Sequence, residues 1–125
     1  MGFFNSSKKD ESDQKKFEWI DLESIEEFES IMNASFEDKV LIFKHSTRCS
    51  ISRMALKQFE NEFKLPENLK CYYLDLLNFR GTSNEIASKL DVLHQSPQVL
   101  VIHKGFCISS FSHSEIQADE ILKVI

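Results

Sequence analysis

A chain of 125 residues is long enough for one compact domain, and its 42% hydrophobic content is typical of a soluble globular protein. The net charge of -5 argues against nonspecific binding to nucleic acid or anionic membranes, because both need a clustered positive field. Three cysteines are too few for a disulfide framework. That odd number and the lack of a secretory apolar segment predict a cytoplasmic protein, and no apolar run approaches the roughly 20 residues that cross a bilayer.

The chain divides into a polar segment and one domain. Ser, Lys, Asp and Gln dominate residues 1–16, so we interpret this segment as a flexible tail. From residue 17 onwards, strand-like and helix-like stretches alternate without an internal repeat. We therefore expect residues 17–125 to form a single sheet covered by helices.

The first predicted elements are a strand, a helix and a second strand. Residues 17–20 suit a short strand, after which Asp21 or Ser24 can cap a helix. A Ser-x-x-Glu capping box would pair Ser24 with Glu27. Residues 40–44 form a compact apolar run, which is typical of a central strand buried on both faces.

The middle of the domain repeats this alternation. Apolar residues recur about every four positions after Cys49 and predict an amphipathic helix that ends before Pro66. Residues 70–76 then return to strand character. A second capping box, Thr82 with Glu85, predicts the start of the next helix.

The last elements are a hairpin and a helix. Strand-like residues 98–103 and 106–112 flank a Lys-Gly turn, and Ser114 with Gln117 can open a final helix. The complete order is βαβαβαββα, with helices between the early strands and a hairpin before the last helix. This α/β order is the arrangement of the thioredoxin fold.

Cys49 is the candidate catalytic residue because it falls where a strand gives way to a helix. Unpaired N–H groups and the helix dipole favour a thiolate at such a position. The alternative is that Cys49 is a small buried hydrophobic residue, as free cysteines often are. Nearby cations favour the reactive interpretation, although exposed cations can equally keep a helix face soluble. The nearby cations are Lys44, His45, Arg48, Arg53 and Lys57.

The site has a single thiol. Position 52 is Ser, so no Cys-x-x-Cys partner is present to resolve a mixed disulfide within the same helical turn. Ser52 can hydrogen-bond the thiolate or serve as an ordinary first-turn residue. Cys71 and Cys107 fall inside predicted strands among apolar neighbours, which favours packing over chemistry.

A second candidate segment is Ser96-Pro97, immediately before a strand. In a thioredoxin fold a cis proline at this point faces the active cysteine, and the backbone of the preceding residue pairs with the bound thiol partner. Outside that fold, Ser-Pro is simply a turn. His45 and His94 do not show the spacing of a metal site with Cys49, so we expect no bound metal.

These segments together resemble the YtxJ family, the monothiol bacilliredoxins, over residues 17–125. The resemblance is carried by Phe43-Lys44-His45-Ser46-Thr47-Arg48-Cys49-Ser50-Ile51-Ser52, Ser96-Pro97-Gln98-Val99 and Lys104-Gly105. It implies a thioredoxin fold and thiol transfer that involves bacillithiol, a small thiol of some bacteria. The family pattern is Thr-Cys-Pro-Ile-Ser, so this chain departs from it at Arg48 and Ser50, and both departures can favour the thiolate and an anionic thiol adduct.

The leading hypothesis is a monomeric thiol-disulfide oxidoreductase that acts on S-thiolated proteins with a bacillithiol-like thiol as co-substrate and no tightly bound cofactor. Cys49 would be its nucleophile. The residues expected to bind substrate or thiol are Arg48, Ser50, Ile51, Ser52, Ser96 and Pro97. One alternative is a non-catalytic interaction module that binds partners through Ser96-Pro97. Another is a thiol-bridged iron-sulfur dimer, which is disfavoured because Ser50 and Ile51 replace the Gly-Phe of monothiol glutaredoxins.

Overall fold

The structure, a computed structural model, describes residues 17–125. Within that range it confirms the α/β class and the element order. The predicted tail, residues 1–16, lies outside the described residues. The elements are β1 (Ile20–Asp21), α1 (Ile25–Ala34), β2 (Val40–His45), α2 (Ser50–Glu62), β3 (Lys70–Asp75), α3 (Arg80–Leu90), β4 (Gln98–His103), β5 (Phe106–Ser112) and α4 (Ala118–Leu122), with a 3₁₀ turn (His113–Glu115) before α4.

The five strands form one mixed sheet in the order β1-β3-β2-β4-β5. Strands β1, β3 and β2 are parallel, whereas β4 runs antiparallel to both β2 and β5. The predicted central position of β2 is confirmed, and all six of its residues are buried. The C-terminal end of β2 and the N-terminal end of β4 consequently lie at the same end of the sheet.

Each face of the sheet carries its own hydrophobic core. On one face, Phe28 of α1 and Ile86 of α3 pack against strand residues that include Ile42. On the other face, Phe59 of α2 and Ile121 of α4 pack against strand residues that include Phe43. Because successive strand residues point to opposite faces, neighbours along β2 serve different cores.

The predicted first strand is displaced along the chain. It covers only Ile20–Asp21 and not residues 17–20. The rings of Phe17 and Trp19 instead pack against Phe59, at centroid distances of 5.6 and 5.9 Å. Burial of two aromatic rings on α2 therefore takes precedence over extending the edge strand.

Only one of the three predicted capping interactions is present. The Ser24 hydroxyl accepts from the Glu27 N–H at 3.1 Å, as expected. The other two predictions are wrong. Helix α3 begins at Arg80, so the Thr82 pair lies inside it, and a box between Ser112 and Glu115 replaces the one predicted at Ser114. Among the helices of residues 17–125, none is long and apolar enough to cross a membrane.

Candidate functional site

Cys49 occupies the N-cap of α2, directly after the short loop that follows β2. Its backbone is extended, with φ -101° and ψ 121°, and its side chain is half-buried. The Cys49 N–H donates to the Ser46 carbonyl at 3.2 Å, and the Cys49 carbonyl accepts the Arg53 N–H at 3.0 Å. The thiol thus lies at the end of α2 where unpaired backbone N–H groups and the helix dipole stabilise negative charge.

The Ser52 hydroxyl is buried and bonded to the chain that precedes Cys49. It accepts the Ser46 N–H at 3.1 Å and lies 2.8 Å from His45 Nδ1. Since the hydroxyl oxygen already accepts from the backbone, its proton is available to His45. The structure therefore gives Ser52 the role of joining α2 to the loop after β2, in addition to its place in the first turn of the helix.

The predicted cluster of cations is only partly assembled. Arg48 and Arg53 are exposed beside the loop, and Arg53 Nη1 donates to the Thr47 carbonyl at 3.0 Å. Lys44 does not belong to the cluster, because its side chain lies on the opposite face of the sheet from α2, where Nζ donates to the Ser83 carbonyl. The positive charge near Cys49 comes from the arginines.

His45 contributes a neutral imidazole rather than a charge. Burial lowers the pKa of His45, and the Arg53 guanidinium adds to this effect. The carboxylates of Asp75 and Glu60 act in the opposite direction without cancelling it. A neutral ring can accept the Ser52 proton at Nδ1, which agrees with the short contact between them.

We expect acid to destabilise the fold through His45 and His94, whose pKa values are both lowered from 6.5 by burial. Below pH 6.5 the unfolded chain binds protons that the folded chain does not, so the free energy of unfolding should decrease as the pH falls. Urea unfolding on either side of that pH measures the effect. His45→Gln should reduce the pH dependence, whereas His113→Asn, at an exposed site, should retain it; equal slopes in both variants would contradict this assignment.

The Ser96–Pro97 peptide bond is cis. In the β2–β4 register Lys44 pairs with Gln98, so Pro97 lies at the same end of the sheet as the loop that carries Cys49. The Pro97 carbonyl accepts the His113 N–H at 3.1 Å, which joins this segment to the 3₁₀ turn. Within residues 17–125, the buried Ser96 Oγ finds no hydrogen-bond partner.

The other two cysteines lie at the opposite end of the sheet. Cys71 pairs with Leu41, and Cys107 pairs with Ile102, which in turn pairs with Val40. Cys49 follows the far end of β2, roughly 13 Å or more away at the usual strand rise, whereas a disulfide spans Cα separations of up to about 7 Å. Burial raises the pKa of Cys71 to about 12 and also raises that of Cys107. Neither residue is placed to resolve a disulfide at Cys49.

A groove of about 600 Å³ runs beside the start of α2. It lies between that helix and residues 113–119. Ile51 and Met54, which contribute its apolar wall, are 62% and 71% exposed. Ile51 was expected at the site from the sequence, but the groove was not, because its second wall is more than fifty positions away along the chain.

Gln98 is a further residue of the site that was not predicted from the sequence. It is buried at the start of β4, and its side chain contacts the loop that leads to Pro97. The available signal was a polar residue immediately before the apolar run of that strand. In the described part of the chain, no cluster of three or more His, Cys, Asp or Glu side chains is arranged to hold a metal.

The comparisons with known proteins agree with this geometry. The family model described as monothiol bacilliredoxin BrxC matches residues 20–121. A solved structure described as a candidate oxidoreductase with a thioredoxin fold is 33% identical, with a TM-score of 0.72 over 83% of this chain and 90% of that one. A thioredoxin from Trypanosoma brucei brucei is 20% identical, covers 89% of this chain and 94% of its own, and has a TM-score of 0.66. Mitochondrial thioredoxin 3 from Saccharomyces cerevisiae is 16% identical at a TM-score of 0.64, over 86% of this chain and 92% of that chain.

Proposed function

Because this chain belongs to the monothiol bacilliredoxin family, we propose that it removes small-thiol adducts from protein cysteines by thiol exchange at Cys49. Family membership and the similarity to an oxidoreductase candidate support a thiol redox role. Bacillithiol is the small thiol we assign to the adduct. The three cysteines are free thiols, which supports a reducing, cytoplasmic location.

The reaction needs two exchanges. The Cys49 thiolate attacks the small-thiol sulfur of a protein mixed disulfide, and the protein cysteine leaves as a thiolate that takes up a proton. Cys49 then carries the small thiol as its own mixed disulfide. A second molecule of the small thiol attacks that adduct, which releases the symmetrical small-thiol disulfide and restores the Cys49 thiolate. One disulfide is consumed and one is formed, so no other oxidant or reductant is required.

The observation that carries the proposal is the isolation of Cys49 at the start of α2. The residue one turn later is Ser52, and the two other cysteines lie at the far end of the sheet. An adduct on Cys49 therefore has no internal thiol to displace it. It must wait for a second thiol from solution, which is the behaviour of a carrier.

The residues around Cys49 suit an anionic small thiol. Arg48 is exposed beside the thiol, and the Arg53 guanidinium reaches the Thr47 carbonyl in the same loop. Ser50 adds a backbone N–H that the proline of the family pattern lacks. We propose that these groups attract the carboxylates of the small thiol, that the Ser96 backbone pairs with the partner disulfide beside Pro97, and that the groove lined by Ile51 receives the protein part of the substrate.

Transfer of an adduct to Cys49 tests this proposal. A peptide with one cysteine capped by bacillithiol is mixed with the protein, and the masses of the digested protein are followed over time. We expect the mass of one small thiol to appear on Cys49 while the free peptide is released. Cys49→Ser should give no transfer, and a variant with Cys71→Ala and Cys107→Ala should behave like the wild type.

A peptide capped with glutathione is the matched probe. Equal rates with both caps would contradict the assignment of bacillithiol. If a folded protein takes no adduct from either peptide, the catalytic proposal is wrong. A non-catalytic interaction module that binds partners through Ser96-Pro97 would then be the favoured function.

A further inference from the structure

Two buried polar side chains lie beneath the loop that leads to Pro97. Lys44 and Gln98 are 0% and 2% exposed, although most residues of the strands that carry them are apolar. They are direct partners in the antiparallel register of β2 and β4, so their side chains leave the sheet on the same face. That face is the one covered by α1 and α3, opposite α2.

The Gln98 side chain bonds to the backbone of this loop. Its Nε2 donates to the Leu93 carbonyl at 3.1 Å, and its Oε1 accepts the Gln95 N–H at 3.4 Å. One side chain thus pairs with main-chain groups on both sides of His94. These two bonds satisfy backbone groups of the loop that have no strand to pair with.

The Lys44 side chain bonds to the same loop and to α3. Its Nζ donates to His94 Nδ1 at 3.3 Å and to the Ser83 carbonyl at 3.2 Å. Burial, together with Lys44 and Arg80, lowers the pKa of His94, which leaves a neutral ring that can accept at Nδ1. Three separate segments of the chain therefore meet at this amine: β2, the first turns of α3 and the loop.

Burying Lys44 is energetically costly, so stability of the fold does not explain why a lysine occupies this position. In the described residues no carboxylate forms an ion pair with it, and burial lowers the pKa of the amine to about 8. A buried cation without a counter-ion is unfavourable compared with an apolar residue of the same size. A lysine in a central strand can instead position the groups to which it donates hydrogen bonds.

We propose that Lys44 and Gln98 are positioning residues that hold residues 93–96 in the conformation in which the Ser96 backbone meets the disulfide partner of Cys49. This inference rests on the proposed thiol exchange. Two functions then lie at the same end of the sheet. Cys49 and α2 supply the nucleophile from one face, and Lys44 and Gln98 support the partner-binding loop from the other.

Lys44→Met tests the inference because it keeps the length of the side chain and removes its donors. We expect the Gln95 amide, which donates to Gln98 Oε1, to exchange with deuterium about tenfold faster, since the loop loses its contact with β2. Transfer from the bacillithiol-capped peptide should slow by about tenfold, because small misplacement of a binding group is costly. Alkylation of Cys49 by iodoacetamide needs only the thiolate and should stay within about twofold.

The matched control is Lys89→Met, on the exposed surface of α3, which should change none of these rates. If Lys44→Met does not fold, His94→Ala removes the loop partner while Lys44 keeps the Ser83 carbonyl, and it should give the same pattern. Unchanged amide exchange in the loop overturns the inference. So does a loosened loop with unchanged peptide transfer. If the wild type itself transfers nothing, the proposed function has failed, and amide exchange still decides whether Lys44 holds the loop.

Discussion

Ser52→Cys is expected to convert the single-thiol site into one that releases its own adduct. Position 52 lies one helical turn after Cys49, and its side chain is buried beside the loop that precedes that residue. A thiol there would attack the Cys49 adduct intramolecularly, form a disulfide with Cys49 and expel the small thiol. His45 Nδ1, 2.8 Å from the present hydroxyl oxygen and favoured in its neutral form, is placed to take the proton of the new thiol.

The size of this effect follows from replacing a bimolecular step by an intramolecular one. The lifetime of the adduct on Cys49 should be about 100-fold shorter in Ser52→Cys than in the wild type, or shorter still. The reason is that well-placed groups reach very high effective concentrations. Mass spectrometry would show loss of the adduct together with a decrease of two hydrogens for the new disulfide. Ser88→Cys adds a thiol on the exposed surface of α3 and is the control. Equal adduct lifetimes in the two variants would show that position 52 cannot reach Cys49.

Elements with a strong hydrophobic period were predictable from the sequence. The apolar run of β2 and the repeat of α2 gave the strand, the helix and the position of Cys49 between them. Helix starts were less predictable, since a capping box needs only two residues at the right spacing. The prediction of a capping box at Thr82 was wrong because the turn before α3 is formed by Asp75, whose carboxylate accepts the Leu77 N–H at 3.2 Å.

The candidate site was predictable where the chemistry is local to one segment. Cys49 and the loop at Pro97 could be named from their own neighbours. The role of Lys44 could not, because adjacency to His45 along β2 suggests one cluster while strand alternation sends the two side chains to opposite faces. Its partners His94 and Ser83 are brought to it by the packing of α3 and the loop, which no local pattern encodes.

Phe59→Ala should strongly destabilise the fold. Phe59 is 2% exposed in α2, stacks on Phe63 at 4.5 Å and contacts the edge of Phe43 at 5.6 Å. Truncating a buried phenylalanine typically costs about 3–5 kcal/mol, from lost burial and the cavity that remains. Aromatic pairing adds to that cost. The free energy of unfolding, from urea titration, should fall by this amount.

Gln58→Ala, on the exposed face of the same helix, is the control and should change the free energy of unfolding by less than about 0.5 kcal/mol. A loss below about 1 kcal/mol for Phe59→Ala would mean that its neighbours collapse into the space. Phe59→Ala also distinguishes the stability of the fold from the reactivity of Cys49. Phe59 joins the C-terminal half of α2 to β2 and lies more than two turns from Cys49, whose loop is bonded independently through Ser52. In conditions where Phe59→Ala remains folded, alkylation of Cys49 should therefore proceed at close to the wild-type rate.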